Sequence, residues 1–141
     1  MPKIGIVKSN FNKDITDNML KQAIDFLDSL PAGKAGKKIE HQIIEVPGAF
    51  EIPLALKKMI DSNKFDCLTT IGCLIKGQTK HFDVIANSVT EQISNLSVNN
   101  NIPIAFGIIT ANKRSQALKR TNLGLQATKA SIQLYENIRK F

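Results

Sequence analysis

The chain has 141 residues, of which 43% are hydrophobic and 22% charged, as is typical of one globular domain with a sizeable core. No apolar run approaches the roughly 20 residues of a membrane-spanning helix, and the N-terminal apolar stretch is too short for a signal peptide, so we expect a cytoplasmic protein. The net charge of +7 comes from scattered basic residues, which argues against nucleic acid and is compatible with small anionic substrates.

The first half of the chain alternates between strand and helix patterns. Residues 4–7 form a short apolar strand, and residues 14–30 have apolar side chains at helical spacing. A loop rich in Gly and Lys at 31–38 leads to a second strand at 39–46. A second helix is predicted at about 50–61.

The alternation continues through the second half. The third strand, Cys67–Ile75, is apolar almost throughout, as expected for a parallel strand covered on both faces. A helix at 82–98, a fourth strand at 102–109 and helices at 113–120 and 125–139 follow, with Gly124 expected to separate the last two. The order predicts one α/β domain over residues 1–141, a three-layer sandwich whose four-stranded, mainly parallel sheet is flanked by helices.

The two cysteines are predicted to be structural. Cys67 and Cys73 lie about 20 Å apart on the same predicted strand, so they cannot form a disulfide bond with each other. Both suit small apolar core positions. The two histidines, His41 and His81, are far from them in the sequence, so no metal site is expected.

The segment at 72–83, GCLIKGQTKHFD, is the most informative part of the sequence. It turns at Gly77 and brings Gln78, Thr79 and His81 to the carboxyl end of the third strand, the edge of an open α/β sheet where ligands bind. A histidine there can transfer protons near neutral pH, while amide, hydroxyl and backbone N–H groups can hold phosphate. On its own, His81 could also be an ordinary surface or capping histidine.

Four segments at the strand ends together resemble the 6,7-dimethyl-8-ribityllumazine synthase family. They are SNFN at 9–12, VPGAFEIP at 46–53, GCLIKGQTKHFDVIA at 72–86 and PIAFGIIT at 103–110. Enzymes of this family condense 5-amino-6-(D-ribitylamino)uracil with 3,4-dihydroxy-2-butanone 4-phosphate, the penultimate step of riboflavin biosynthesis. The resemblance, which covers about residues 4 to 120, implies this activity, a flavodoxin-like fold and no metal or organic cofactor.

The resemblance assigns the pyrimidine site to two segments. Phe11 matches the aromatic residue that stacks on the pyrimidine, with core packing as the alternative. Asn12 either hydrogen-bonds the ring or shapes the turn. Cys73, Leu74 and Ile75 match the strand end that meets the pyrimidine, mostly through backbone groups.

The resemblance assigns the ribityl site to the segment at 46–53 and the phosphate site to the loop within the segment at 72–86. Ala49, Phe50 and Glu51 match the segment that contacts the ribityl chain and the ring, although Glu51 is also suited to interact with the helix dipole. Gln78 and Thr79 match the pair beside the phosphate of the butanone substrate.

The resemblance also implies an oligomer. His81 matches the proposed proton donor and acceptor, whereas Phe106 and Arg120 match an aromatic residue and a phosphate-binding arginine that the family contributes to a neighbouring subunit's site. Arg120 could instead be a surface residue of its helix. We expect a homo-oligomer, a pentamer or a multiple of it. The chain departs from the family pattern at Leu123, where a lysine is expected, and at Gln126, where an acidic residue is expected.

Three other functions stay open on the sequence alone. A riboflavin synthase of the same fold would dismutate two lumazines, and only turnover distinguishes it from the leading hypothesis. A non-catalytic flavin or lumazine carrier would bind tightly without turnover. A basic nucleic-acid-binding module would produce a salt-dependent gel shift.

Overall fold

The computed structural model describes residues 2–31 and 39–141, so most of the predicted loop at 31–38 lies outside the described residues. The described strands form one parallel sheet in the order β2-β1-β3-β4, with β5 also paired to β3. The strands are β1 (Ile4–Ser9), β2 (His41–Val46), β3 (Cys67–Ile75), β4 (Ile104–Ala105) and β5 (Ile108–Ala111). The helices are α1 (Lys13–Ser29), α2 (Ile52–Asp61), α3 (Phe82–Asn100), α4 (Arg114–Leu118) and α5 (Leu123–Ile138), and a 3-10 turn (Ala49–Glu51) precedes α2.

Helices cover both faces of the sheet, which confirms the predicted three-layer α/β architecture. Alternate residues of a strand face opposite sides, so Ile4 and Ile6 join one buried cluster and Val7 joins another. The first cluster packs β1 and β3 against α1, α4 and α5, and the second packs the other face against α2 and α3. Every residue of β3 is buried, as predicted for a strand covered on both sides.

The predicted fourth strand is two strands, so the count of four is wrong. Between β4 and β5 the backbone leaves the ladder at Phe106 and Gly107, and the side chain of Thr70 on β3 takes over the pairing. The Thr70 hydroxyl donates to the Ala105 carbonyl oxygen and accepts from the Gly107 N–H, each at 3.0 Å. The contact with Thr70 therefore interrupts the strand, although the apolar pattern of residues 102–109 is continuous.

Gly124 does not separate the last two helices, which corrects that prediction. It lies in the first turn of α5, and the chain turns before it, between the end of α4 and Asn122. A Cβ atom at Gly124 would lie 2.8 Å from the backbone oxygen of Met19 on α1. The glycine therefore allows α5 to pack closely against α1.

The predicted positions of the two cysteines are confirmed. Cys67 and Cys73 both lie on β3, where they are buried free thiols. Within the described part of the chain, no helix combines the length and the apolar character required to cross a membrane.

We expect Gly107→Ala to lower the free energy of unfolding by about 3 kcal/mol. A Cβ atom at this position would lie 2.1 Å from the Thr70 carbonyl oxygen, and this backbone atom cannot rotate away. Gly48→Ala is the control, because its Cβ would meet nothing nearer than the Glu51 carboxylate at 3.6 Å. Urea unfolding at one protein concentration measures both variants, and equal midpoints would contradict the expectation.

Candidate active site

The site lies at the sheet edge where the carboxyl ends of the parallel strands meet. β1 pairs with β3 only as far as Lys8 opposite Ile71, whereas β3 continues beside β5 to Ile75. Beyond Ile71, the neighbour of β3 on the β1 side is therefore a loop rather than a strand. Backbone groups of β3 on this side become available to side chains or ligands.

Asn12 connects the loop after β1 to β3 and to the loop after β3. Its side-chain nitrogen donates to the Cys73 carbonyl oxygen and to the Gln78 side-chain oxygen, both at 2.9 Å. The Gln78 amide donates in return to the Asn12 side-chain oxygen at 3.0 Å. Asn12 has a φ of 57°, in the left-handed region that asparagine tolerates better than most residues. Three predicted site residues are therefore in direct contact, and Asn12 does shape the turn.

Phe11 lies on the surface beside this bridge. Its side chain is 41% exposed, so the alternative of core packing is wrong. The Phe11 N–H donates to the Ser9 hydroxyl at 3.3 Å, and the Asn10 N–H donates to the Val46 carbonyl oxygen at 2.8 Å. The second bond ties the loop to the end of β2, where the next predicted segment begins.

The 3-10 turn after β2 presents Phe50 and Glu51 to solvent. Ala49 is buried in the cluster beneath α2 and α3, which anchors the turn. Phe50 is 65% exposed, and Glu51 is exposed in the first turn of the helical segment. The N–H of Glu51 donates to the Gly48 carbonyl oxygen at 3.2 Å. Ala49 thus anchors a turn with an exposed aromatic ring and an exposed carboxylate, and this turn begins three residues after Val46, whose carbonyl oxygen bonds to the loop after β1.

The loop after β3 delivers the predicted phosphate and proton-transfer groups. Gly77 has a φ of 94°, a conformation that side-chain-bearing residues rarely adopt, and the Gln78 N–H donates to the Ile75 carbonyl oxygen at 3.3 Å. The Thr79 hydroxyl accepts from the His81 N–H at 3.2 Å. His81 is exposed at the start of α3, so its imidazole is accessible to a bound molecule.

The β3 residues of the site can offer only backbone groups. The side chains of Cys73, Leu74 and Ile75 are buried in the core clusters. Burial raises the pKa of the Cys73 thiol to about 11, so at neutral pH it stays protonated and is a poor nucleophile. Among residues 2–31 and 39–141, no group of three or more His, Cys, Asp or Glu side chains could hold a metal ion.

Phe106 does not lie with the other predicted residues. The break between β4 and β5 that contains Phe106 lies opposite Thr70 and Ile71 of β3. Because β3 continues for four more residues to Ile75, Phe106 lies roughly 13 Å before the end of that strand. Phe106 is 38% exposed and lines a cavity of about 400 Å³ between β4 and α5, together with Gln126.

Arg120 lies nearer the sheet edge than Phe106 but on the far side of β3 from Asn12. Its guanidinium donates to the Thr110 carbonyl oxygen at 3.1 Å, and Thr110 pairs with Leu74. The side chain is exposed. Leu123, where the resemblance leads us to expect a lysine, is half-buried against the core beside α1, so its apolar character suits its surroundings.

Two carboxylates in the N-terminal half of α1, those of Asp14 and Asp17, form ion pairs beside the site. Bonds from Lys13 and from Lys8 hold the pKa of the Asp17 carboxyl below its usual value. The Arg114 guanidinium bonds to Asp14 and likewise lowers the pKa of that carboxyl, which links α4 to α1. Both carboxylates are therefore ionised at neutral pH.

The prediction from sequence missed Lys8. Its side chain has no exposed surface, and its ammonium group contacts Asn10, Asp17 and Glu45. The predicted strand ended at residue 7, but the alternation of Ile4 and Ile6 already places Lys8 on the same buried face. Extending that alternation by one step would have identified a buried cation at the base of the loop.

The sequence matches known proteins along almost its whole length. The sequence model of the family described as 6,7-dimethyl-8-ribityllumazine synthase matches residues 1–139. A protein of that name from Campylobacter jejuni subsp. doylei is 41% identical over 138 residues, covering 94% of this chain and 86% of the relative. Proteins of that name from Thermococcus gammatolerans and Thermococcus kodakarensis are 34% and 32% identical over 142 residues, covering 98% of this chain and 88% and 87% of the relatives. The chain belongs to the 6,7-dimethyl-8-ribityllumazine synthase family.

Proposed function

We propose that this chain is an enzyme that condenses 5-amino-6-(D-ribitylamino)uracil with 3,4-dihydroxy-2-butanone 4-phosphate. The products are 6,7-dimethyl-8-ribityllumazine, phosphate and water, and the reaction is the penultimate step of riboflavin biosynthesis. Family membership over residues 1–139 is the observation that carries this conclusion, and it favours the synthase over riboflavin synthase or a non-catalytic carrier. The chain would work as one domain in the cytoplasm, without a metal or organic cofactor.

The pyrimidine would bind between Phe11 and the end of β3. Stacking on an exposed aromatic ring contributes about 1–3 kcal/mol per base, and Phe11 has the exposure that stacking requires. The edge of the ring would meet backbone groups of Cys73, Leu74 and Ile75. Asn12 already occupies the Cys73 carbonyl oxygen, so its main role would be to hold the loop while the ring uses neighbouring backbone groups.

The ribityl chain would extend toward the 3-10 turn after β2. Glu51 can accept hydrogen bonds from its hydroxyl groups, and the free N–H groups at the start of the helical segment can donate to them. Phe50 would cover the chain from the solvent side. Ala49 would contribute through its backbone, since its side chain is buried.

The phosphate of the second substrate would bind at the loop after β3. Gln78 and Thr79 offer an amide and a hydroxyl there, and Arg120 of a neighbouring subunit would grip the phosphate through two parallel hydrogen bonds. Phosphate carries negative charge, and the net charge of +7 favours its approach.

His81 would transfer the protons that the reaction requires. The amine of the pyrimidine adds to the ketone, and the resulting carbinolamine must lose water to give a Schiff base. Phosphate then leaves and the ring closes, and each of these steps moves a proton. A positioned histidine contributes typically about 10²–10⁴-fold to such steps, and holding the two substrates together contributes much of the remainder.

The active form would be a ring of five subunits or a multiple of it. Phe106 is too far from the end of β3 to complete its own subunit's site, yet it lies exposed at the sheet edge formed by β4. A neighbouring copy packed against this edge would receive Phe106 and Arg120. The separation within one chain therefore supports a shared site, and a closed ring lets every site be completed in the same way.

The test of the function is formation of the lumazine by the purified protein, followed by absorbance and by phosphate release. We expect turnover above the uncatalysed background, and we expect His81→Ala to reduce it by about 10–10⁴-fold while the oligomer stays intact. His41→Ala is the matched control, because His41 begins β2 at the opposite end of the sheet. Equal turnover in the two variants would remove His81 from the mechanism.

Arg120→Ala should chiefly raise the KM for the butanone phosphate, because the guanidinium would bind the phosphate group. We expect an increase of about 10–100-fold, corresponding to the loss of a charge-assisted hydrogen bond. Lys119→Ala, which removes an exposed cation from the adjacent position, should leave both KM values nearly unchanged. A rise confined to the KM for the pyrimidine would contradict the assignment.

Mixed oligomers determine whether Arg120 acts across the subunit boundary. When His81→Ala and Arg120→Ala subunits are unfolded together and refolded at equal amounts, about a quarter of the interfaces would combine an intact His81 with an intact Arg120. Activity at low butanone phosphate should then exceed the mean of the two separate variants. No gain would place both residues in the site of one subunit.

A further inference from the structure

Lys8 is a fully buried cation at the base of the loop that carries Phe11 and Asn12. Its ammonium nitrogen lies 2.7 Å from the Asn10 side-chain oxygen and 3.4 Å from a Glu45 carboxylate oxygen, and it also bonds to Asp17. An ammonium group has three N–H donors, so these three acceptors use all of them. The side chain has 0% relative exposure, so water does not reach it as an alternative partner.

The three acceptors belong to three elements that converge on the loop. Glu45 sits opposite Lys8 in the β1–β2 register, and Asp17 is on α1, which begins directly after the loop. Asn10 is in the loop itself, one residue before Phe11. One ammonium group therefore joins the neighbouring strand, the following helix and the loop between them.

We propose that Lys8 is a positioning residue for the pyrimidine-binding loop and that it acts through Asn10. The inference rests on the proposed function, in which Phe11 stacks on the pyrimidine. Asn10 is held twice, by its N–H to the Val46 carbonyl oxygen and by its side chain to Lys8. Asn12 is held by Cys73 and Gln78. The exposed ring of Phe11 is thus attached between two fixed residues.

These bonds favour substrate binding because they restrict the conformations of the loop before the substrate binds. A ring on an unconstrained loop loses conformational freedom when it stacks on a ligand, whereas a loop fixed in its bound conformation does not. Stability alone does not account for Lys8, because replacing a buried ion pair with apolar residues of similar volume is often neutral or stabilising.

Variants of Asn10 test the inference while leaving the ion pairs of Lys8 in place. Asn10→Ala removes the acceptor, and we expect it to raise the KM for the ribitylaminouracil about tenfold. The KM for the butanone phosphate should rise clearly less than that, because in the hydrogen bonds described Thr79 and Arg120 make no bond to this loop and only Gln78 is joined to it, through Asn12. Asn10→Asp keeps an acceptor oxygen for Lys8 and should retain a KM for the pyrimidine close to that of the wild type.

Variants of Lys8 and Lys13 give a second, independent measurement. Lys8→Met should reproduce the selective rise in the KM for the pyrimidine. Its thermal midpoint should fall below that of the wild type, because the substitution removes one partner of the ion pairs and leaves the carboxylates of Asp17 and Glu45 in place. Lys13→Met is the matched control, because Lys13 bonds to the same carboxylate of Asp17 from the solvent side and makes no contact with Asn10 in the hydrogen bonds described. It should leave both KM values unchanged.

Each outcome bears on one hypothesis. An equal rise in both KM values, an unchanged KM in Asn10→Ala, or a loss in Asn10→Asp as large as in Asn10→Ala would overturn the positioning role. If Lys8→Met fails to fold, the comparison of Asn10→Ala with Asn10→Asp still tests the positioning role. Absence of lumazine formation by the wild-type protein in the same assay would instead refute the proposed function.

Discussion

The site exists because β3 extends beyond β1. In a parallel sheet each strand satisfies the backbone groups of its neighbours, and pairing between β1 and β3 ends at Ile71 while β3 continues to Ile75. Backbone donors and acceptors near Cys73 must then find partners elsewhere. Asn12 supplies one of them through its amide. In the proposed function, the pyrimidine ring would bond to backbone groups beside it.

The sequence was sufficient to locate this edge but not to determine its internal contacts. Alternating strands and helices predicted the layers, and the parallel order placed the residues after β1, β2 and β3 together. The break after Ala105 and the packing of Gly124 were not predictable, because they depend on Thr70 and Met19, which are distant in sequence. A local sequence pattern predicts which face of a strand or helix a residue occupies. The break after Ala105 and the packing of Gly124 depend instead on the atoms that a neighbouring element places against them.

In the proposed assembly, exposed aromatic rings would connect the substrate site to the contact between subunits. Phe11, Phe50 and Phe106 are all substantially exposed, and apolar surface left in water forgoes roughly 25 cal/mol for each Å² that could be buried. Phe11 and Phe50 border the proposed substrate site, and Phe106 lines the cavity between β4 and α5. A second copy of the chain packed against that cavity would bury Phe106, and the same contact would complete the substrate site of that second copy.

The ion pairs around Lys8 differ in how far water reaches them, and this difference explains what each can do. Lys13 and Asp17 are both about half-exposed and one helical turn apart, so their bond contributes little to stability. Lys8 is fully buried, and its three bonds cannot be exchanged for bonds to water without moving β1, β2 or α1. A surface pair tolerates motion, whereas a buried ammonium group fixes its acceptors in place. The buried cation therefore specifies a loop conformation that the few hydrogen bonds of a three-residue connection would not specify alone.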